Sequence, residues 1–202
     1  IAQATLKTGI EVLQSLGVYV LTVMFAFLLL LIVYLVIVTL LGKRNPFRFL
    51  RNISDPMLVA FSTNSSAATM PVSIQTAEEK LGVRSSTARF IIPIGATINM
   101  DASALYQGLA TIFIAQLYGI EFTIAAQVAI VLTAVGASIG TPATPGVGII
   151  ILSSVLVSVG IPVEGLTLLI GIDRILELFR SSLNVAGDLV ASTVMDRFLA
   201  KS

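Results

Sequence analysis

The chain has 202 residues, of which 56% are hydrophobic and only 11% charged, with a mean hydropathy of +0.99. Soluble domains carry about 25% charged residues, so this is the composition of a membrane protein in contact with a lipid bilayer, and a net charge of +1 leaves no basic surface for nucleic acid. With no cysteine and no histidine, disulfides, thiolate or imidazole metal sites and histidine-based triads are excluded; no cofactor motif occurs, and an enzyme is not expected.

Ile1 is not an initiator methionine and no signal-peptide pattern follows it, so the chain is expected to be a fragment. The first predicted element is a spanning helix over about 10–42, because Leu16 to Gly42 is uncharged for 27 residues and ends at Lys43-Arg44; about 20 residues suffice to cross. The second, 45–82, is apolar from Pro56 to Ala77 but broken by the polar run Ser62 to Thr69 before Pro71. The third, 86–118, carries a break at Gly95-Ala-Thr-Ile-Asn-Met-Asp101-Ala-Ser103, where Gly95 is expected to let the backbone leave the helix and turn carbonyls inward beside a carboxylate. Oxygen donors of this kind suit a hard cation such as Na⁺.

The fourth element, 122–162, lies in 42 uncharged residues, Phe122 to Val163, centred on a stretch from Gly136 to Gly148 with two prolines and four glycines that cannot continue a helix. Irregular backbone at membrane depth is tolerated only where it is buried in protein or lines a cavity. Two helical hairpins with polar tips therefore predict re-entrant hairpins meeting near the midplane, the pattern of a secondary transporter; the alternative is ordinary loops outside the bilayer. The last element, 164–196, carries Asp173, Glu177, Arg180, Asn184 and Asp188 within roughly 80° of arc on a helix. Charges at bilayer depth cost at least roughly 2.5–3.5 kcal/mol each, so such a stripe is expected to face a site for ions or charged solutes.

Basic residues fix the expected orientation. Lys43, Arg44, Arg48 and Arg51, then Lys80, Arg84 and Arg89, then Arg197 and Lys201 should be cytoplasmic, and the connections at Glu121 and Glu164 external. Within the stripe, Arg180 offers a guanidinium fork for a substrate carboxylate, and Glu177, one turn away, an acceptor for an ammonium. Alternatively the two, at i and i+3, neutralise each other.

The runs Ser65-Ser-Ala-Ala-Thr-Met-Pro71, Gly95-Ala-Thr-Ile-Asn-Met-Asp-Ala-Ser-Ala-Leu-Tyr-Gln-Gly108, Ala137-Ser-Ile-Gly-Thr141 and Asp173 through Asn184-Val-Ala-Gly-Asp188 closely resemble the glutamate transporter family, the dicarboxylate/amino acid:cation symporters. The resemblance implies an all-α membrane protein of spanning helices plus two re-entrant helical hairpins. This would be part of an elevator-type transport domain, with the scaffold helices of a homotrimer absent. It implies an integral, multi-pass protein of a plasma or inner membrane.

By position, the family's substrate site falls on Asn64, Ser65, Ser66, Ser103, Thr144, Gly148, Glu177, Arg180, Ser181 and Asn184. One Na⁺ site falls on Gly95, Asn99, Asn184 and Asp188, a second on Thr97, Met100, Ser138, Ile139 and Thr141, and a third on Asn99 and Asp101 with a helix outside this chain. The family usually has Asp where Glu177 stands, and the extra methylene is expected to disfavour glutamate relative to aspartate. Its arginine at the place of Asn64, or near Leu178, is missing from both. The function expected is Na⁺-coupled symport of an acidic amino acid. The alternatives are a dicarboxylate symporter of succinate or malate type, H⁺-coupled, and an ion channel, against which stands the convergence of both charge signs on one site.

Overall fold

The structure is a computed structural model that describes the backbone of residues 2–139 and 144–200 and the side chains from Ile10 onward within those limits. The described residues are helical with no strand. In chain order they form α1 (Ala2–Leu40), α2 (Pro46–Asn52), α3 (Ser54–Thr63), α4 (Ser66–Glu79), α5 (Ser85–Ile98), α6 (Asp101–Leu117), α7 (Ile124–Ser138), α8 (Val147–Ser158), a 3₁₀ turn (Val163–Gly165) and α9 (Leu166–Leu199).

Within α1 the stretch Ile10–Leu40 is long and apolar enough to cross a membrane. It buries one stripe, Tyr19, Val23, Phe27, Tyr34 and Val38, at spacings of four and seven, and leaves most of its other large side chains exposed. Helix α9 is the axis of the fold. It packs against α1, α3, α4, α5, α6 and α8, and is buried almost without interruption from Ser182 to Val190. Two apolar cores flank it. One joins the first half of α1 to α6, α8 and the start of α9; the other joins the second half of α1 to α2–α5 and the later turns of α9.

The two segments expected as hairpins each hold a pair of helices in contact, α3 with α4 and α7 with α8, and the break between α3 and α4 is shorter than the sequence suggested. In the first, only Asn64 and Ser65 are non-helical. Asn64 closes α3 in the left-handed region (φ 54°, ψ 35°), which asparagine tolerates better than most residues, and Ser65 caps α4 by accepting the amide of Ala68 at 3.1 Å. Pro71 lies inside α4. In the second hairpin α7 runs through Gly136 to Ser138, and Gly146, at φ 83°, leads directly into α8.

One expectation is corrected. Gly95 is not where the backbone leaves the helix: it lies within α5, and the break is confined to Asn99 and Met100 between α5 and α6. Glycine is required there for a tertiary reason, because a Cβ at position 95 would collide with the carboxylate of Asp188.

Candidate functional site

The five polar residues of the α9 stripe are all buried, from 2% exposed at Asp188 to 4% at Asp173, Arg180 and Asn184. The two hairpin tips converge on this stripe one turn apart. Ser181 donates its hydroxyl to Asn64 Oδ1 (2.7 Å) at the first tip, and the Gly146 amide of the second donates to Glu177 Oε1 (2.7 Å). Between them lies a cavity of about 30 Å³. Every sequence-predicted substrate residue except Ser65 lines it, joined by Met100, Gln107 and Val147.

Arg180 is the centre of the electrostatics. Its Nη2 lies 3.4 Å from Glu177 Oε1, its Nη1 3.8 Å from Asp173 Oδ1, and its Cζ 4.7 Å from the centroid of the Tyr106 ring. The Asp173 distance is too long for a hydrogen bond, so Arg180 Nη1 is left without a hydrogen-bond partner among the described residues. Asn64 Nδ2 and Gln107 Oε1, on two other lining residues, are likewise unpaired. Buried polar atoms are nearly always satisfied, so a cluster of this kind on one cavity marks where a ligand's polar groups would go.

Glu177 is held from three directions: Gly146, Arg180, and Arg174, whose Nη1 lies 3.2 Å from Oε2. Arg174, at i and i+3 from Glu177, thus reaches the site from a largely exposed position.

A second polar cluster lies beside the α5–α6 break. Asn184 accepts the amide of Ala102 (3.0 Å) and donates to Ser103 Oγ (3.0 Å) and to Met100 Sδ (3.2 Å). Asn99 Nδ2 donates to Asp188 Oδ1 at 3.0 Å. No basic side chain pairs with Asp188 among the described residues, so a buried carboxylate lacks a counter-charge. Burying an unpaired charge is costly, and a cation among Gly95, Asn99 and Asp188 would relieve it.

Of the second predicted ion site, Met100 and Ser138 are buried. Thr97 is exposed and bonds Ile94 O (2.9 Å), Ser138 bonds Val135 O (2.8 Å), Ile139 is exposed, and Thr141 lies outside the described residues. Asp101 is exposed and accepts the hydroxyl of Tyr34 (2.8 Å), a partner from α1 with no signal in the sequence. Tyr106 and Gln107 were also missed, although their spacing of three and four from Ser103 puts them on the same face of α6.

Residues 1–198 match the sodium:dicarboxylate symporter family. The chain belongs to that family. As a member of it, the chain is 39% identical over 196 residues to excitatory amino acid transporter 3 of Mus musculus, covering 95% of this chain and 37% of that protein. It is 40% identical over 192 residues to the proton/sodium-glutamate symport protein of Bacillus subtilis (strain 168), covering 95% of this chain and 44% of that one. To excitatory amino acid transporter 4 of Rattus norvegicus it is 41% identical over 187 residues, covering 90% and 33%. The chain thus spans less than half the length of these relatives.

Glycine 148 gives the site a direct test. A Cβ there would overlap the Arg180 guanidinium, whereas one at Gly171 meets nothing within 4 Å. Gly148→Ala in the full-length protein should weaken substrate binding by more than about tenfold, roughly 1.4 kcal/mol, while Gly171→Ala leaves it unchanged. Equal binding by both variants, measured by calorimetry, would show that Arg180 moves aside freely.

Proposed function

We propose that this chain is the substrate- and ion-binding portion of a Na⁺-coupled symporter of acidic amino acids, aspartate or glutamate. The observation that carries the reading is the buried Arg180, with an unpaired Nη1, sharing a cavity with the unpaired amide donor of Asn64 and with Glu177. A guanidinium fork and an amide suit a carboxylate, and Glu177 suits an ammonium. The names of the relatives, excitatory amino acid transporters and a proton/sodium-glutamate symport protein, agree with that chemistry.

In this reading 10–42, 86–118 and 164–196 span the bilayer and 45–82 and 122–162 are re-entrant hairpins. Together they form a transport domain that moves as an elevator against a trimeric scaffold outside this chain. The Gly146 amide holds the second hairpin against Glu177 at the edge of the cavity, and in this reading the hairpin swings out to admit an amino acid. Opening breaks the Gly146–Glu177 contact. Na⁺ taken up beside Asp188 favours closure, and coupling is the difference in its affinity for closed and open states.

One observation favours a second reading, a dicarboxylate symporter. Glu177 is already engaged by Arg174, Arg180 and Gly146, and so is not free to receive an ammonium in the closed state. The deciding experiment is calorimetry of aspartate, glutamate and succinate on the full-length protein, with and without Na⁺. Aspartate binding only with Na⁺, lost in Asp188→Asn, supports the coupled amino-acid carrier. Na⁺-independent binding, or succinate bound as tightly as aspartate, overturns the coupling or the ammonium assignment respectively.

A further inference from the structure

Away from the substrate site, the corner between α1 and α2 carries two adjoining features. One is a cleft of about 230 Å³ whose lining includes Lys43, Arg44, Arg48 and Lys80 and no carboxylate. Its walls are tied: Arg44 Nη2 donates to Leu81 O (3.0 Å) and Asn52 Nδ2 to Lys80 O (3.1 Å), joining α2 and the end of α1 to the end of α4. Lys80 is neutralised by Asp55. The Lys43 and Arg48 side chains have neither an ion pair nor a hydrogen bond among the described residues.

The other feature is an apolar groove of about 270 Å³ along the last turns of α1, lined among others by Ile32, Val36, Leu40 and Phe47. Phe47 is 80% exposed, the ring lying open on the surface. The seven-residue α2 contributes to both: Pro46 and Phe47 border the groove, Arg48 and Phe49 the cleft.

We propose that this corner is a binding site for an anionic phospholipid, with the phosphate headgroup in the cleft against Lys43 and Arg48 and an acyl chain in the α1 groove over Phe47. The inference rests on the membrane orientation proposed above, which puts this corner at the cytoplasmic leaflet, where anionic lipids attract basic segments. A free phosphate would satisfy the cleft but leave the groove empty. A zwitterionic lipid would fill the groove but bring an ammonium into a site with surplus positive charge. Only an anionic amphiphile matches both halves, and its attachment would brace the root of the first hairpin through Arg44 and Asn52.

The test is native mass spectrometry of the full-length protein with phosphatidylglycerol or phosphatidylcholine at equal concentration, read independently of transport. Phosphatidylglycerol adducts should exceed phosphatidylcholine adducts, and each cation removed should weaken them roughly fivefold, so the double variant Lys43→Gln/Arg48→Gln falls by roughly twentyfold. Phe47→Ser should lower the adduct as well. The charge-preserving pair Lys43→Arg/Arg48→Lys should restore it, and aspartate binding by all variants should stay as in the parent, showing them folded. Equal binding of both lipids overturns the proposal, as does persistence of the adduct in the double variant. Displacement of the lipid by millimolar inorganic phosphate would assign the cleft to a free anion instead. No adduct on the parent protein overturns it as well.

Discussion

If the proposed site is right, replacing Arg180 by alanine in the full-length protein is expected to weaken binding of aspartate, glutamate and succinate alike by roughly thirtyfold or more. Truncating one partner of a buried, hydrogen-bonded charge pair costs about 2–5 kcal/mol, and the lower bound already means roughly thirtyfold in affinity. The same change strips the counter-charge from Asp173 and one of two guanidinium partners from Glu177, both less than 5% exposed, and stacking on Tyr106 is lost with it. Leaving buried carboxylates uncompensated costs about 3–5 kcal/mol of stability, so the thermal midpoint should fall too.

Arg180→Lys separates the two effects. The ammonium keeps the charge near the carboxylates and most of the stability, but it lacks the fork that engages a carboxylate at two points. It should retain folding and still lose tenfold or more in affinity, read by calorimetry beside a thermal unfolding curve. Aspartate binding by Arg180→Ala within about threefold of the parent would move the carboxylate subsite off Arg180.

How far such a site can be read from sequence depends on which interactions are local. The α9 stripe was legible because helical periodicity alone places Asp173, Glu177, Arg180, Asn184 and Asp188 on one face, and all five are buried as that face demanded. The break between α3 and α4 was legible in position but not in extent. Hydroxyls in the run from Ser62 to Thr69 fold back onto the helix: Ser62 onto Leu58 O (2.8 Å), Thr63 onto Val59 O (2.8 Å) and Thr69 onto Ser65 O (2.8 Å). Polar composition therefore did not imply irregular backbone, and only Asn64 and Ser65 break the helix.

Gly95 was misread for a different reason. Its requirement is the close approach of Asp188, from a helix more than ninety positions away in the sequence. No local pattern encodes that, nor the pairing of Tyr34 with Asp101. The Arg174–Glu177 contact was local enough to find, since the pair lies at i and i+3.

Glu177→Gln is expected to split the substrates, weakening aspartate by about a hundredfold, roughly 2.7 kcal/mol, while leaving succinate within a few-fold of the parent. Glutamine keeps the size of the side chain and a carbonyl that can still accept the Gly146 amide, so the contact that closes the second hairpin survives. What goes is the charge. Asp173, Arg174, Glu177 and Arg180 cancel as they stand, and the substitution leaves one surplus positive charge around the cavity. A surplus positive charge repels an ammonium and does not repel a second carboxylate, so aspartate must weaken far more than succinate if Glu177 is the ammonium acceptor. Were aspartate binding to persist, the ammonium would lie elsewhere, with Gln107 Oε1 the unpaired acceptor nearest to hand on the same cavity. If both substrates weakened together, Glu177 would act through its hold on Gly146 and Arg180 instead, as part of the gate and not of the ligand shell.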